Sequence, residues 1–495
     1  MDNVAFQRMF FQPLQEIHGN KEYAEYLAMV QSMDKIICAA GMDLAFVNSV
    51  VDKKRLEHLA SPKGKRLKAT QIAKLTRTAV TAYRCAVLKL LSGRSFRELS
   101  VLIAESLLLQ WFCRLDNFNG APKIPTKSTL QRYEKMFDSD FVGSQVLELN
   151  RLALGNDGGR LVERILNSKD VFIDGTCVKA RIHFPVDWIL LKDCAWTVVK
   201  AILLARRHGM RHRIKPPEKF LSELNALCMS VASLSKNRKK VSEKKREFRK
   251  LKSLCKVIAA HGERYLSLLR NDWNTTDLSE AEAKLVADRL AKMLSLLPVA
   301  MKQAHSRMIT GKQIPNEEKL LSVYHESVNV INRGKASGNV EFGNALFIAE
   351  QSDGLILDWK LYEGNVKDPA GTKDSIKRMV DECEYDLESL TGDRGCQSKT
   401  NDKKLLDKGI YNALAPRNPL EFAEKMMDDR FKRLQKRRGQ TEGRIGILKN
   451  TILDGSLYER DFAGKELKMA WAILTHNLWV LARIKAAELT LKKTA

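Results

Sequence analysis

Between Val171 and Ile182 the run VFIDGTCVKARI breaks a chain that otherwise reads as helix, and its β-branched and aromatic residues predict a buried strand carrying an acid, Asp174, at its end. Strand character returns from about Val340 as VEFGNALFIAEQ and GLILDWKLYEG, with Asp353 and Gly354 as the turn between them. It returns again in LESLTGD and in IYNALAP. A helix-like segment from Ala370 to Glu382 and the polar helix KTNDKKLLDKG separate these later strands. Strands interleaved with helices imply a sheet of the α/β (mixed) class.

Helices fill the rest. From about Glu22 to Phe137 apolar residues recur at helical spacing, as in TRTAVTAYRCAVLKLLSG and SFRELSVLIAESLLLQWFCRL, which predicts a compact helical domain. In IPTKSTLQRYEKMF, Thr126 or Ser128 caps a helix whose exposed side holds Lys127 and Arg132, an arrangement suited to a phosphate backbone. Beyond Trp196 the chain is helical for more than a hundred residues. SKNRKKVSEKKREFRKLKSLCK and SEAEAKLVADRLAKMLSLL mix charge with an apolar stripe there, predicting long packed helices of structural role, with DNA contact as the sharper alternative. FKRLQKRRGQTEGRIGILKN reads as a basic helix, and AWAILTHNLWVLARIKA as an amphipathic one that closes the chain.

Lys and Arg total 84 against 59 Asp and Glu, a net charge of +25 that draws a protein to polyanions, nucleic acid first. Nine scattered cysteines without a C-x-x-C pair point to free thiols in a reducing compartment. The opening MDNVAFQRMFFQPLQEIHG lacks a basic start followed by an apolar run, and no stretch of about 18 apolar residues occurs. A cytoplasmic protein without membrane partners is the expectation.

Three acids stand out by position. Asp174 and Asp393 each end a strand, and Glu442 lies on a helix among cations. Phosphoryl transfer uses two divalent ions about 4 Å apart, held by carboxylates from separate elements, and hard oxygen ligands select Mg2+ or Mn2+. Arg438 precedes Glu442 by four residues and Lys449 follows it by seven, so all three share one helix face, an acid for metal flanked by cations for phosphate. Gly439, Gly443 and Gly446 weaken that helix by about 1 kcal/mol each, a cost that close approach to DNA would explain.

The phrases VFIDGTCVKARIHFPVDWILL, GNVEFGNALFIAE, LTGDRG and QKRRGQTEGRIGILKN, in this order, resemble those of bacterial insertion-sequence transposases of the DDE class. Arg438, Glu442 and Lys449 keep the spacing of a Tyr-Arg-Glu-Lys signature in one branch of that class, with Gln435 where the signature has tyrosine. The resemblance implies an RNase H-like core preceded by a helical DNA-binding domain (1–150). The core is expected in two parts (165–200 and 321–455), split by a helical insertion (201–320) and followed by a C-terminal helix (456–495). It also implies Asp174, Asp393 and Glu442 as ligands of two Mg2+ ions, Mn2+ being the alternative, and an activity: cleavage at the ends of a mobile element and attack of the freed 3′-hydroxyl on target DNA. Terminal inverted repeats and target, both double-stranded DNA, are the partners, bound by a homodimer or larger assembly. Arg394 and Lys335 are expected to contact phosphate. Thr176, His183 and Asp187 are expected to orient the first ligand or meet the DNA, and Glu341 to be a structural acid or one that supports the ligands. Two rivals remain: an RNase H-like nuclease without strand transfer, and a non-catalytic DNA-binding repressor derived from a transposase.

Overall fold

The computed structural model describes residues 14, 19–60, 66–115, 122–155, 161–164, 166–235, 240–335 and 338–494, with backbone alone for 333–335, 338, 339, 490, 493 and 494. VFIDGTCVK lies in β1 (Asp170–Lys179), where Val171, Phe172 and Ile173 are buried, as a strand covered on both faces requires. With β2 (Asn329–Lys335), β3 (Gly338–Gln351), β4 (Ile356–Leu361), β5 (Ser389–Gly392) and β6 (Tyr411–Leu414) it forms a six-stranded sheet. β3, β1, β5 and β6 are successive neighbours, and β4 also pairs with β3. β5 runs parallel to β1 and to β6, whereas β2 and β4 are antiparallel to β3, so the sheet is mixed. Gly354, in the turn between β3 and β4, has φ +94°, which glycine adopts without a Cβ clash. The chain is of the mixed α/β class and 66% helical.

Contacts divide the chain into two compact units, Met1–Lys179 with Asn344–Ala495, and Ala180–Gly343. These limits differ from the five segments read from the sequence. The second unit extends beyond 201–320 at both ends, and the first gathers the N-terminal helices and the C-terminal helix around one core.

In the first unit α1 (Lys21–Ala39), α2 (Met42–Leu59), α3 (Ala69–Ser92), α4 (Phe96–Glu105), α5 (Leu107–Phe112), α6 (Lys127–Glu134) and α7 (Ser139–Leu154) precede β1. Arg84 of α3 is wholly buried, and its charge is met by Asp34 of α1 at 2.6 Å and Asp43 of α2 at 2.8 Å.

The second unit holds α8 (Asp187–Arg207), α9 (Pro217–Ser235), α10 (Val241–Asn271) and α11 (Glu280–His305), with β2 paired to the first half of β3. Along α10 the buried residues Phe248, Leu251, Cys255, Ile258, Gly262, Tyr265 and Leu269 recur every three or four positions, and that stripe packs into a core separate from the first.

After β4 come α12 (Asp368–Ile376), α13 (Lys399–Asp407), α14 (Pro419–Lys425), α15 (Asp429–Ile447) and α16 (Phe462–Thr494). α16 belongs to the first core because Trp471 is buried among Phe46 and Phe137 and donates Nε1–H to the Glu134 carbonyl at 3.2 Å. Asn477 then binds both backbone groups of Ile356, fixing the helix to β4. Among the described residues no helix is long and apolar enough to cross a membrane.

Candidate active site

β1 and β5 run side by side, with Asp170 beside Ser389, Val171 beside Leu390 and Phe172 beside Thr391. Two residues further in the same register stand Asp393, just past the end of β5, and Asp174, which does not end its strand as the sequence suggested but lies midway along β1, since pairing carries that strand on to Lys179. The electrostatics agree. Asp174 is pushed up to about 7, by burial first and by Asp393 next; Arg438 opposes the shift and Glu442 adds to it. The three acids and Arg438 therefore share one local field. Asp393 is oriented by its own turn, its Oδ1 accepting the Cys396 N–H at 3.1 Å.

Glu442 is brought to this place by α15. Phe431 and Leu434 bury one side of that helix in a small core with Phe172 and Ala413. Gln435 donates to the carbonyls of Gly392 at 3.2 Å and Ala413 at 2.7 Å, tying the helix to the ends of β5 and β6. Arg437, Thr441 and Arg444, spaced four and three apart, converge on the buried Glu350 of β3 at 3.0, 2.7 and 2.9 Å. Arg437 also lies over the Phe172 ring, 4.5 Å from its centroid. With that face committed to the sheet, Arg438 and Glu442 fall on another, where they pair at 2.9 Å with the glutamate 60% exposed. Lys449 follows in the wide turn Leu448–Ile452 and donates to Thr176 Oγ1 at 3.2 Å, two residues from Asp174. A Cβ added at Gly439, Gly443 or Gly446 meets nothing within 4 Å. No described neighbour requires glycine there, and the helix presents bare backbone on that side.

Sequence reasoning passed over Asp368. It opens α12 after β4, and its carboxylate lies against Gly175, which follows Asp174, and Gly395, two residues past Asp393. A Cβ on Gly395 would sit 2.5 Å from Asp368 Oδ2 and 3.0 Å from Asp393 Oδ1, and a Cβ on Gly175 would sit 3.2 Å from Asp368 Oδ1. The only local signal was Asp-Pro at a helix start, which marks a cap and says nothing about a site.

These residues fit a hard divalent cation in their chemistry, since all the donors are carboxylate oxygens and the Gly395 cradle leaves a point within 3.0 Å of two of them. Among the described residues, however, no group of three or more His, Cys, Asp or Glu is arranged to hold a metal ion. Glu442 is engaged with Arg438 instead. Holding an ion with Asp174, Asp393 and Glu442 together requires that ion pair to open.

The remaining candidates lie as follows. Arg394 is exposed, its guanidinium 5.2 Å from the Phe422 ring centroid. Lys127 and Arg132 are exposed on α6, which Thr126 caps by accepting the Thr129 N–H at 3.4 Å, and Arg132 reaches back to the Ser128 carbonyl. Thr176 is buried and accepts from Lys449. In the second unit, His183 pairs with Asp193 at 3.0 Å, and Asp187 accepts from Gln303 at 3.1 Å and Arg307 at 3.0 Å, pinning α11 to the start of α8. Glu341 sits opposite Ile331 in the β2–β3 pair. Lys335 ends β2, and its side chain lies outside the described residues. Compared with family models, with curated proteins and with solved structures, the chain matches none.

Proposed function

We propose that this chain is a DDE-type transposase with an RNase H-like core, which cleaves the ends of a mobile element and joins the 3′-hydroxyl to target DNA. One observation carries the reading: the strand order β4-β3-β1-β5-β6, with Asp174 and Asp393 in one register and Glu442 on the helix tied to β5 and β6. An RNase H-like core has that succession of strands and acids. In this reading Asp174, Asp393 and Glu442 hold two Mg2+ or Mn2+ ions, which when bound activate the attacking oxygen and stabilise the leaving one.

The chain's own residues do the positioning. Gln435 and the Glu350 cluster fix α15 against the sheet, so Glu442 can swing without displacing its helix. Arg438, released from Glu442, and Lys449, steadied by Thr176, offer cations to the phosphates flanking the scissile bond. Asp368 stands beside Asp393 as a fourth carboxylate of the site. The enzyme works as a homodimer or larger assembly on inverted-repeat and target DNA, in the cytoplasm on the nucleoid.

The test is incubation of purified protein with Mg2+ and element-end duplex, scoring nicks and joined products on a sequencing gel. Both products are expected, and both are abolished by Asp174→Ala, Asp393→Ala or Glu442→Ala. Unchanged cleavage by these variants would sink the assignment. Cleavage without joining identifies the nuclease, and salt-sensitive binding without any cleavage identifies the repressor.

A further inference from the structure

Charge is unevenly spread along the chain. Ala180–Gly343 holds 31 Lys and Arg against 16 Asp and Glu, so about a third of the residues carry +15 of the +25. The densest part that the structure describes is the first half of α10. Three of its seven cations there are accounted for locally: Arg246 and Lys250 flank Glu247 at 3.7 and 2.8 Å, and Lys244 lies over the Trp188 ring, 5.7 Å from its centroid. Four are not. Lys245, Arg249, Lys252 and Lys256 pair with no acid among the described residues. Arg249 and Lys256 are exposed, and Lys245 and Lys252 half-exposed.

Their spacing of four, three and four places them on one stripe within about 60° of arc, centred about 110° around the helix from the buried stripe of Phe248, Leu251, Cys255 and Ile258. The stripe is straight and about 16 Å long, with a cation every 4.5 to 6 Å or so at 1.5 Å rise per residue. Like charges one turn apart destabilise a helix, so an unneutralised row of four is kept against the helix's own preference.

We propose that this stripe is a sequence-independent contact for the phosphates of double-stranded DNA, outside the candidate active site. A straight row of cations matches a duplex, which carries a negative charge about every 1.7 Å of its axis. Between Lys245 and Lys256 the four cations alone occupy that arc, with the small, polar Ser253 beside it and no exposed aromatic side chain to stack on unpaired bases. The stripe also has no paired large apolar residues to enter a lipid surface. The choice of DNA as the polymer rests on the proposed function; the electrostatics do not.

The experiment measures binding of the full chain to a labelled duplex of random sequence by fluorescence anisotropy, in EDTA, between 50 and 200 mM KCl. The variant Lys245→Gln/Arg249→Gln/Lys252→Gln/Lys256→Gln is expected to bind about 100-fold more weakly at 100 mM, with the slope of log K against log salt less negative by about 3. A control with the same change in charge at exposed lysines outside both the stripe and the segment 1–150, Lys360→Gln/Lys377→Gln/Lys403→Gln/Lys408→Gln, is expected to shift the slope by less than about 1. Equal losses in both variants, or an unchanged slope in the first, overturns the proposal. So does a loss confined to single-stranded DNA or anionic vesicles. Because no metal is present and no cleavage is read, a protein that cuts nothing and still shows the predicted slope change keeps the stripe and loses the transposase.

Discussion

Asp174→Asn removes a charge that the fold resists. The carboxyl is pushed from 3.8 up to about 7, so without metal the native state holds its proton over a range where the unfolded chain has released it. Stability from this group is complete below the unfolded value of 3.8 and declines as pH rises, reaching its full loss above about 7. A displacement of about three pH units is worth about 4 kcal/mol as a ceiling at 1.36 kcal/mol per unit, and solvent access to the half-buried carboxyl brings the expected figure to about 2 kcal/mol. Asparagine keeps the shape and cannot ionise. In urea unfolding with a chelator, the variant should exceed the wild type by about 2 kcal/mol at pH 8 and converge on it towards pH 4. Adding Mg2+ should reverse the order at pH 8, since only the wild type keeps the ligand. Parallel stability curves across that pH range, with no convergence in acid, would refute the reasoning.

Gly395→Ala drives a methyl against the carboxylates of Asp368 and Asp393, and should abolish the rise in melting temperature that Mg2+ gives the wild type; equal rises would clear the cradle of any role. Glu350→Gln leaves Arg437 and Arg444 without their buried counter-charge and is expected to cost about 3 kcal/mol in chemical denaturation, with little effect if the cluster is dispensable. Arg84→Leu strands Asp43 in the N-terminal core and leaves Asp34 with Arg114 alone, and should cost about 3 to 5 kcal/mol, or prevent folding outright; a near-neutral result by urea denaturation would contradict the structure.

What could be read from the sequence was what local chemistry determines. The β1 run, the Asp353–Gly354 turn and the Thr126 cap each announce themselves within a few residues, and each lies where expected. The pairing of Arg438 with Glu442 is also local, a matter of one helical turn. Asp368 could not be read, because its closeness to Gly175 and Gly395 comes from three segments meeting in space. Gln435 shows the same limit. By spacing alone it stands only where the signature that the sequence resembles has tyrosine, whereas in the fold it is a bracket between two strand ends, a role decided by carbonyls far along the chain. The extent of the second unit was equally hidden, since helical periodicity does not say which core a stripe will join.

The neighbours of β1 are remote in the chain: Asp170 meets Ser389 across 219 residues. At 5–20 residues per second a ribosome needs roughly 10 to 40 seconds to supply that partner after β1 itself has been made. The second unit, with its own core, can fold in that interval, while Val171, Phe172 and Ile173 wait without the strand that will cover one edge. A pause or premature stop during translation of Ala180–Gly343 therefore releases an apolar strand with an open edge, the kind of species that chaperones bind and that otherwise aggregates.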